Sequence, residues 1–368
     1  MVATMKEVAR LAGVSQPAVS AALNMTGTTR LSEEVRTRIL RIARELDYVP
    51  NSAAQRLKGG KTRTIGIYGV PYVSVLTQSM MLNISLELAA TGYNLLSCYG
   101  ETEEASFCAI KELVGKGIDG LIITTSENHI LKFKNPPVPY VYTPPWRMQG
   151  FDFAVDHEAG NRLGTEKLIE SGCRRIGFVC MKNREVFTKG AYHVSLEKLS
   201  GVRAAVKEHG LNMPDEFIIT HESCQYCAST LAGLVRDLRL DGLVCANDYL
   251  AARLMRPLAQ AGIDIPGALK IIGYDGVSIC DFTPVPLATI VQPMIRLSEL
   301  SVRTLLSRIK SHTLSPAPCN QLLQPVFYPN ESCGMIAENA DQLFSTNSYS
   351  TIELNSKLNK TTKGKDRS

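Results

Sequence analysis

The sequence predicts a small all-α head followed by a larger α/β body. Three observations predict it. A chain of 368 residues exceeds one ordinary domain. Residues 1–63 hold 11 Lys/Arg against 5 Asp/Glu, whereas 64–349 hold 24 against 28. At Thr64 the apolar pattern changes from purely helical spacing to short strands alternating with helices. With 45% hydrophobic and 20% charged residues there is material for a buried core, which excludes global disorder. A basic head on a mildly acidic body suits a polyanion-binding module joined to a domain of another kind.

Several classes are excluded early. The longest apolar runs, such as 118–125 with Asp119 inside it, are far too short to cross a membrane. Lys6, Glu7 and Arg10 interrupt the N-terminus before a signal-peptide core forms, so a cytoplasmic protein is expected. The ten scattered cysteines then read as reduced thiols.

The head reads as three short helices. Thr4-Met5-Lys6-Glu7 fits a capping box, with Val8, Leu11 and Ala12 at helical spacing behind it. Gly13 permits the left-handed backbone that ends this helix, and Ser15 caps the next. Pro17 stands in the first turn of that second helix, where its missing amide costs nothing, and Val19, Ala22 and Leu23 supply an apolar face. A third helix starts at Ser32, carries Glu33 and Glu34 in its first turn, and stops before Pro50. The spacing of Ala9, Gly13, Val14, Val19 and Ala22 is that of a helix-turn-helix. Ala9 is small where the helices cross, Gly13 makes the turn, and the two valines fill the space between them.

From Thr64, strands are expected over 64–70, 94–98, 120–125, 175–181, 242–246 and 270–274. Helices are expected over 82–91, 106–116, 160–171, 196–209, 229–237 and 249–260. Repeated βα units imply parallel sheets covered on both faces.

The stretch Met5-Lys6-Glu7-Val8-Ala9-Arg10-Leu11-Ala12-Gly13-Val14-Ser15, followed by Ala18-Val19-Ser20 and Leu23-Asn24, closely resembles the lactose-repressor (LacI) family of bacterial transcription regulators. So does Leu46-Asp47-Tyr48-Val49-Pro50-Asn51 with Ala54-Gln55-Arg56-Leu57. The resemblance continues through Asp156-His157-Glu158-Ala159-Gly160, Asn247-Asp248, Gly273-Tyr274-Asp275 and Thr289-Ile290-Val291-Gln292-Pro293, and spans roughly residues 3–335.

It implies a division into a helix-turn-helix domain over 1–50, a hinge helix and linker over 51–63, and an effector-binding and dimerisation domain over 64–340. That body is expected to form two doubly wound parallel-sheet subdomains like those of periplasmic sugar-binding proteins. They are linked by three crossings, with a ligand cleft beyond the carboxyl ends of the strands. The Ser-, Thr-, Asn- and Lys-rich tail over 341–368 is expected to be disordered.

On DNA, the resemblance places Gln16, Pro17 and Ala21 at base-reading positions in the major groove. Gln16 offers a bidentate contact to adenine, worth about 1–3 kcal/mol of discrimination. Pro17 and Ala21 offer only apolar contact. Thr4, Ser15, Ser20, Asn24 and Ser32 fall at backbone-contacting positions, although helix capping is an ordinary alternative for these side chains. Asn51, Ala54, Gln55 and Leu57 belong to the hinge, a segment too short to be a stable helix alone. The resemblance makes it a helix that folds on DNA, pairs with its twin and wedges Leu57 between base pairs in the minor groove.

In the cleft, the resemblance points to Ser126, Asn247, Asp248 and Asp275 as effector contacts, groups suited to a hydroxyl-rich ligand. Lys198 stands where most of the family has a ligand-binding arginine and lacks that residue's planar fork, which keeps a degenerate, ligand-independent cleft open as an alternative. Trp146, the only tryptophan, is a candidate stacking wall against a sugar ring, a core position being its ordinary alternative.

Other signals fail. Gly115, Gly117 and Gly120 match a dinucleotide-binding spacing but precede a strand. Gly60-Lys61-Thr62 lacks the earlier glycine of a phosphate loop, since position 55 is Gln55. Cys224 and Cys227, with His221, show no fourth metal ligand. No cofactor, metal or catalytic set is expected. The expectation is therefore a homodimeric regulator, most simply a repressor, that binds a pseudo-palindromic operator under the control of a small molecule. A transport-type solute-binding protein is the remote rival, and a sugar-metabolising enzyme lacks a visible acid/base set.

Overall fold

A computed structural model describes residues 3–24, 31–48, 61–69, 75–100, 102–125, 133, 136–180, 189–220 and 228–335. The chain divides into two compact units, Met1–Thr62 and Arg63–Ser368.

The first unit contains α1 (Met5–Ala12), α2 (Gln16–Asn24) and α3 (Glu33–Glu45). Each start is written in the sequence. Thr4 Oγ1 accepts the Glu7 amide at 3.3 Å, Ser15 Oγ accepts that of Ala18 at 3.4 Å, and Ser32 Oγ accepts that of Val35 at 3.3 Å. Gly13 adopts φ +64°, so the chain turns sharply between α1 and α2. Val8, Ala9, Ala12, Val19, Ala22, Ile39, Ile42 and Ala43 form one apolar core. Leu11 departs from expectation, since it points away from this core and is exposed.

The second unit holds two α/β subdomains. In the first, β1 (Thr64–Tyr68), β2 (Asn94–Cys98), β3 (Gly120–Ile123) and β4 (Tyr140–Tyr142) form a parallel sheet in the order β2-β1-β3-β4. Its helices include α4 (Val75–Ala90), which begins well before the expected residue 82, and α5 (Glu103–Gly115). After β5 (Phe153–Val155) the chain enters the second subdomain through α6 (His157–Glu170). There follow β6 (Ile176–Cys180), α7 (Lys189–Glu208), β7 (Ile218–Thr220), α8 (Ala228–Asp237), β8 (Gly242–Cys245), α9 (Asp248–Gln260), β9 (Lys270–Asp275) and β10 (Ala288–Val291).

The chain then returns to the first subdomain as α10 (Met294–Lys310) and β11 (Gln321–Leu323), the latter pairing with β5. It ends in the second as β12 (Val326–Tyr328), the antiparallel edge of a sheet ordered β12-β10-β9-β8-β6-β7. The crossings fall at Asp156, at Gln292-Pro293 and at Gln324-Pro325.

Helix α10 lies outside the elements expected from sequence, yet the first subdomain depends on it. Met294, Leu297, Val302, Leu305 and Ile309 pack with Ile65, Ile67, Ile84, Leu88 and Ile122, more than 170 residues away in the chain. The same helix carries Arg308, which donates to Asp152 Oδ2 at 2.7 Å, to Asp152 Oδ1 at 2.6 Å and to the Tyr140 carbonyl at 2.7 Å. Asp152 also accepts the amides of Tyr142 and Cys319. A buried ion pair holds only if its remaining polar valences are met, and here they are.

Candidate functional sites

The head presents one face of α2. Gln16 and Pro17 are exposed and Ala21 half-buried, while Val19 and Ala22 turn inward to the core. Residues 16, 17, 20 and 21 recur on one side of a helix of 3.6 residues per turn, so one approach reaches all of them. Thr4, Ser15 and Ser32 are exposed helix caps, leaving hydroxyl oxygens at helix N-termini, where the dipole and free amides favour an anion. Ser20 is half-buried. The side chain of Asn24, and the hinge positions Asn51, Ala54, Gln55 and Leu57, lie outside the described residues, as does Ser126.

In the body, a cavity of about 350 Å³ opens between the two subdomains. Parallel strands place it: Thr124, Thr143, Ala246, Asn247, Asp275 and Gln292 each sit at or just beyond the carboxyl end of a strand. The first subdomain contributes a largely apolar wall of Leu76, Met80, Val155, Met294 and Leu297, together with Thr77, Thr124 and Thr143. The second contributes His157, Ser195, Lys198, Asn247, Asp275 and Gln292.

Lys198, Asp275 and Asn247 are therefore brought together, as expected, but with defined roles. The Lys198 ammonium donates to the Ala246 carbonyl at 2.6 Å, stands 3.7 Å from the Tyr274 ring centroid and lies 3.9 Å from Asp275 Oδ1. Burial lowers the pKa of Lys198, and the Asp275 carboxylate opposes that shift. Burial raises the pKa of Asp275, while Lys198 and a 2.7 Å bond from Gln292 Nε2 hold it down. The lysine thus steadies Asp275 and packs on Tyr274, in place of the fork an arginine would offer a ligand. Asp275 has φ +114°, a conformation costing a non-glycine residue about 1–3 kcal/mol, kept by the surrounding bonds. Asn247 caps α9, its Oδ1 accepting the Leu250 amide at 2.7 Å.

Two expected contacts are placed elsewhere. Asp248 does not line the cavity: it is fully buried, and it accepts the Thr289 hydroxyl at 2.6 Å and the Val277 amide at 2.9 Å. Burial and the nearby Asp275 push its carboxyl up to about 8, and its role is to tie α9 to β10 and the loop after β9. The stacking wall is likewise corrected. Trp146 is buried outside the cavity lining, and the next residue, Arg147, gives its amide to Glu197 of α7 at 3.2 Å.

His157 is a site residue that sequence reasoning did not single out. Its Nε2 meets the Pro145 carbonyl at 2.8 Å and its Nδ1 the Tyr274 hydroxyl at 2.8 Å. A carbonyl only accepts, so Nε2 carries the proton and Nδ1 accepts from the tyrosine. Burial, helped by Lys198, pushes the imidazole down to about 3, so it is neutral and latches the first subdomain's Pro145 to the second subdomain's Tyr274. The available signal was its place directly after the Asp156 cap, at a crossing. Gln292 occupies the next crossing and was quoted only within its motif.

A free helix-turn-helix face in one unit, and a ligand-sized cleft between two parallel-sheet subdomains in the other, define a DNA-binding regulator with a small-molecule-binding body. Comparison with known proteins agrees. Residues 4–51 match the bacterial regulatory proteins of the lacI family, and residues 165–333 match the periplasmic binding protein-like domain. The ribose operon repressor of Escherichia coli (strain K12) is 31% identical over 321 residues, covering 85% of this chain and 94% of that one. The transcriptional repressor PurR of Vibrio vulnificus is 30% identical over 319 residues, covering 84% and 92%. Among solved structures, the lac repressor dimer bound to operator and the anti-inducer ONPF superposes with a TM-score of 0.75 at 21% identity, covering 90% and 99%. A LacI family regulator from Enterococcus faecium with bound ribose gives a TM-score of 0.58 at 25% identity, covering 73% and 98%. The chain belongs to the lacI family of bacterial transcription regulators.

Proposed function

We propose that this chain is a cytoplasmic, homodimeric repressor that binds a pseudo-palindromic operator and whose affinity for it is set by a neutral, hydroxyl-bearing small molecule in the cleft. It acts by binding and not by turnover. The observation that carries this reading is the open cavity whose two walls belong to subdomains joined at Asp156, Gln292-Pro293 and Gln324-Pro325. A ligand touching both walls changes their relative position, and that is the input a regulator needs, provided the ligand binds the two states unequally. The relatives named for ribose and the neighbour holding ribose support a sugar over a charged metabolite. So does the ion pair of Lys198 with Asp275, which leaves that part of the wall electrically balanced. Asp275, Asn247 and Gln292 are the proposed effector contacts, and Gln16, Pro17 and Ala21 the base contacts.

A second copy is supported by the groove beside α9, where Phe282 is 79% exposed and Tyr249 46% exposed, with Ile279 adjoining. Apolar surface gathered in this way favours burial against a partner.

Selection of bound sequences from a random DNA pool, at stated salt, tests the reading. A palindrome of roughly 14–20 base pairs with a deformable pyrimidine–purine step at its centre is expected. No enriched motif, with or without cell extract, removes the regulator reading. In the hinge, Leu57→Ala is expected to weaken operator binding strongly and to leave random-DNA binding nearly intact. Equal loss on both DNAs excludes a wedge.

A further inference from the structure

The segment that leaves β4, residues 144–147, belongs to the first subdomain but is fastened to the second. Pro144 and Pro145 have φ fixed by their rings and no N–H to give a neighbouring strand, so the chain departs from the sheet here as a stiff piece. Backbone groups of this piece meet the other subdomain instead. The Pro145 carbonyl takes the Nε2–H bond of His157, the first residue of α6, at 2.8 Å. The Arg147 amide donates to Glu197 Oε1 of α7 at 3.2 Å. The Arg147 guanidinium adds a longer contact, 3.7 Å from Asp156 Oδ1 at the crossing itself.

These fastenings are unequal. His157 is buried, and its Nδ1 accepts from the buried Tyr274 hydroxyl at 2.8 Å, which fixes the ring and aims Nε2 at the carbonyl. Drawing Pro145 away leaves a buried imidazole N–H without its acceptor, which is costly. The Arg147–Glu197 bond lies nearer solvent and holds less firmly. Between the two, Trp146 is buried and keeps the piece against the body.

The covalent crossings at Asp156, Gln292-Pro293 and Gln324-Pro325 join the subdomains without fixing the angle between them. We propose that residues 144–147 are a strap: a fourth, breakable connection that holds the subdomains at the spacing described, with His157 and Glu197 as its fastenings. Pro144 and Pro145 also line the cavity, so a change in cleft width strains the bonds behind them. His157 and Glu197 are then positioning residues for the control of operator binding. They act on which arrangement the body adopts, and through the body on the head. This rests on the regulator reading above.

The test uses the full chain, with spin labels on non-canonical side chains placed at Glu104 of α5 and Lys207 of α7, both exposed. Labelled chain is diluted into unlabelled chain, so that only distances within one molecule are read. Affinity for the selected operator is measured alongside. His157→Phe keeps a ring and removes both hydrogen bonds, His157→Gln keeps a donor and an acceptor, and Glu197→Ala removes the second fastening. His157→Phe is expected to broaden the wild-type distance distribution or add a second population, and to change operator affinity by about threefold or more. Glu197→Ala is expected to act in the same direction and less strongly, and it decides the question if His157→Phe does not fold. His157→Gln is expected to stay close to wild type in both readouts. Unchanged distances in both His157→Phe and Glu197→Ala overturn the strap and leave the regulator reading standing. Changed distances with unchanged operator affinity, or opposite shifts in the two variants, overturn its role in control. A wild type that selects no operator removes the regulator reading and that role with it, while the distances still decide whether the strap holds the cleft.

Discussion

The head and the body bury different kinds of residue. Among the described residues the head's core is wholly apolar, eight residues drawn from three consecutive helices. The body has apolar cores too, but threads them with buried ionisable groups: Asp152 with Arg308, Lys198 with Asp275, and Asp248 held by Thr289 and the Val277 amide. The Arg308–Asp152 bonds span 156 residues of chain, and that between Asp248 and Thr289 spans 41. A domain built from neighbouring segments finds its register through caps and turns. A body whose chain leaves each subdomain and returns needs contacts that tell distant segments apart, and directional polar bonds supply them.

The largest effect expected from this contrast is at Arg308. Arg308→Ala leaves Asp152 buried and unpaired and is expected to cost the body about 3–5 kcal/mol, measured by urea unfolding. Replacing both partners with apolar residues is expected to cost much less, because no charge is then stranded. If the double variant is as unstable as the single one, the pair is not the staple described. The next effect is in the head: Gln16→Ala is expected to weaken operator binding by about 10–100-fold, equivalent to about 1–3 kcal/mol, with effector affinity unchanged.

Burying titratable groups also gives the body a pH signature that an apolar core does not provide. His157, pushed down to about 3, is neutral in the fold and gains a proton on unfolding below its ordinary 6.5. Its contribution is full above pH 6.5 and is lost as the pH falls toward 3. Asp248, pushed up to about 8, keeps in the fold a proton that the unfolded chain releases above 3.8. Its contribution is full below pH 3.8 and gone once the pH passes 8. Between 3.8 and 6.5 the two slopes oppose each other. From 6.5 to 8 the Asp248 slope remains. Stability is then expected to fall by up to about 1.4 kcal/mol per pH unit. Asp248→Asn should reduce that fall; an unchanged curve would falsify the assignment. The smallest effect is the loss of one cap, with Ser32→Ala expected to cost the head about 1 kcal/mol in thermal unfolding.

The same contrast explains what the sequence disclosed. Thr4, Gly13, Ser15 and Ser32 act within a few residues of themselves, so the three helix starts in the head and the end of α1 were legible. The strands ending at Cys98, Cys245 and Asp275 were legible from apolar runs, and Lys198, Asn247 and Asp275 were expected at the cleft they line. Asn247 and Asp248 looked equivalent as neighbours. One is an extended cap at φ −158° on the cavity, and the other begins the helix and turns inward, a distinction set by where the helix starts. Trp146 was ambiguous because a sequence does not record which side of a loop packs. Helix α10 carried apolar positions at helical spacing, but its partners are strands formed far earlier in the chain.

The return of the chain as α10 also sets an order of manufacture. During synthesis the strands β1 to β4 leave the ribosome long before residues 294–310, which cover one face of their sheet. The second subdomain has by then received every strand from β6 to β10. Vectorial folding ordinarily favours whatever is translated first. Here α4 supplies Met80, Ile84 and Leu88 to the earlier-made sheet's apolar cluster, and the remainder of that cluster is completed only when residues 294–310 emerge.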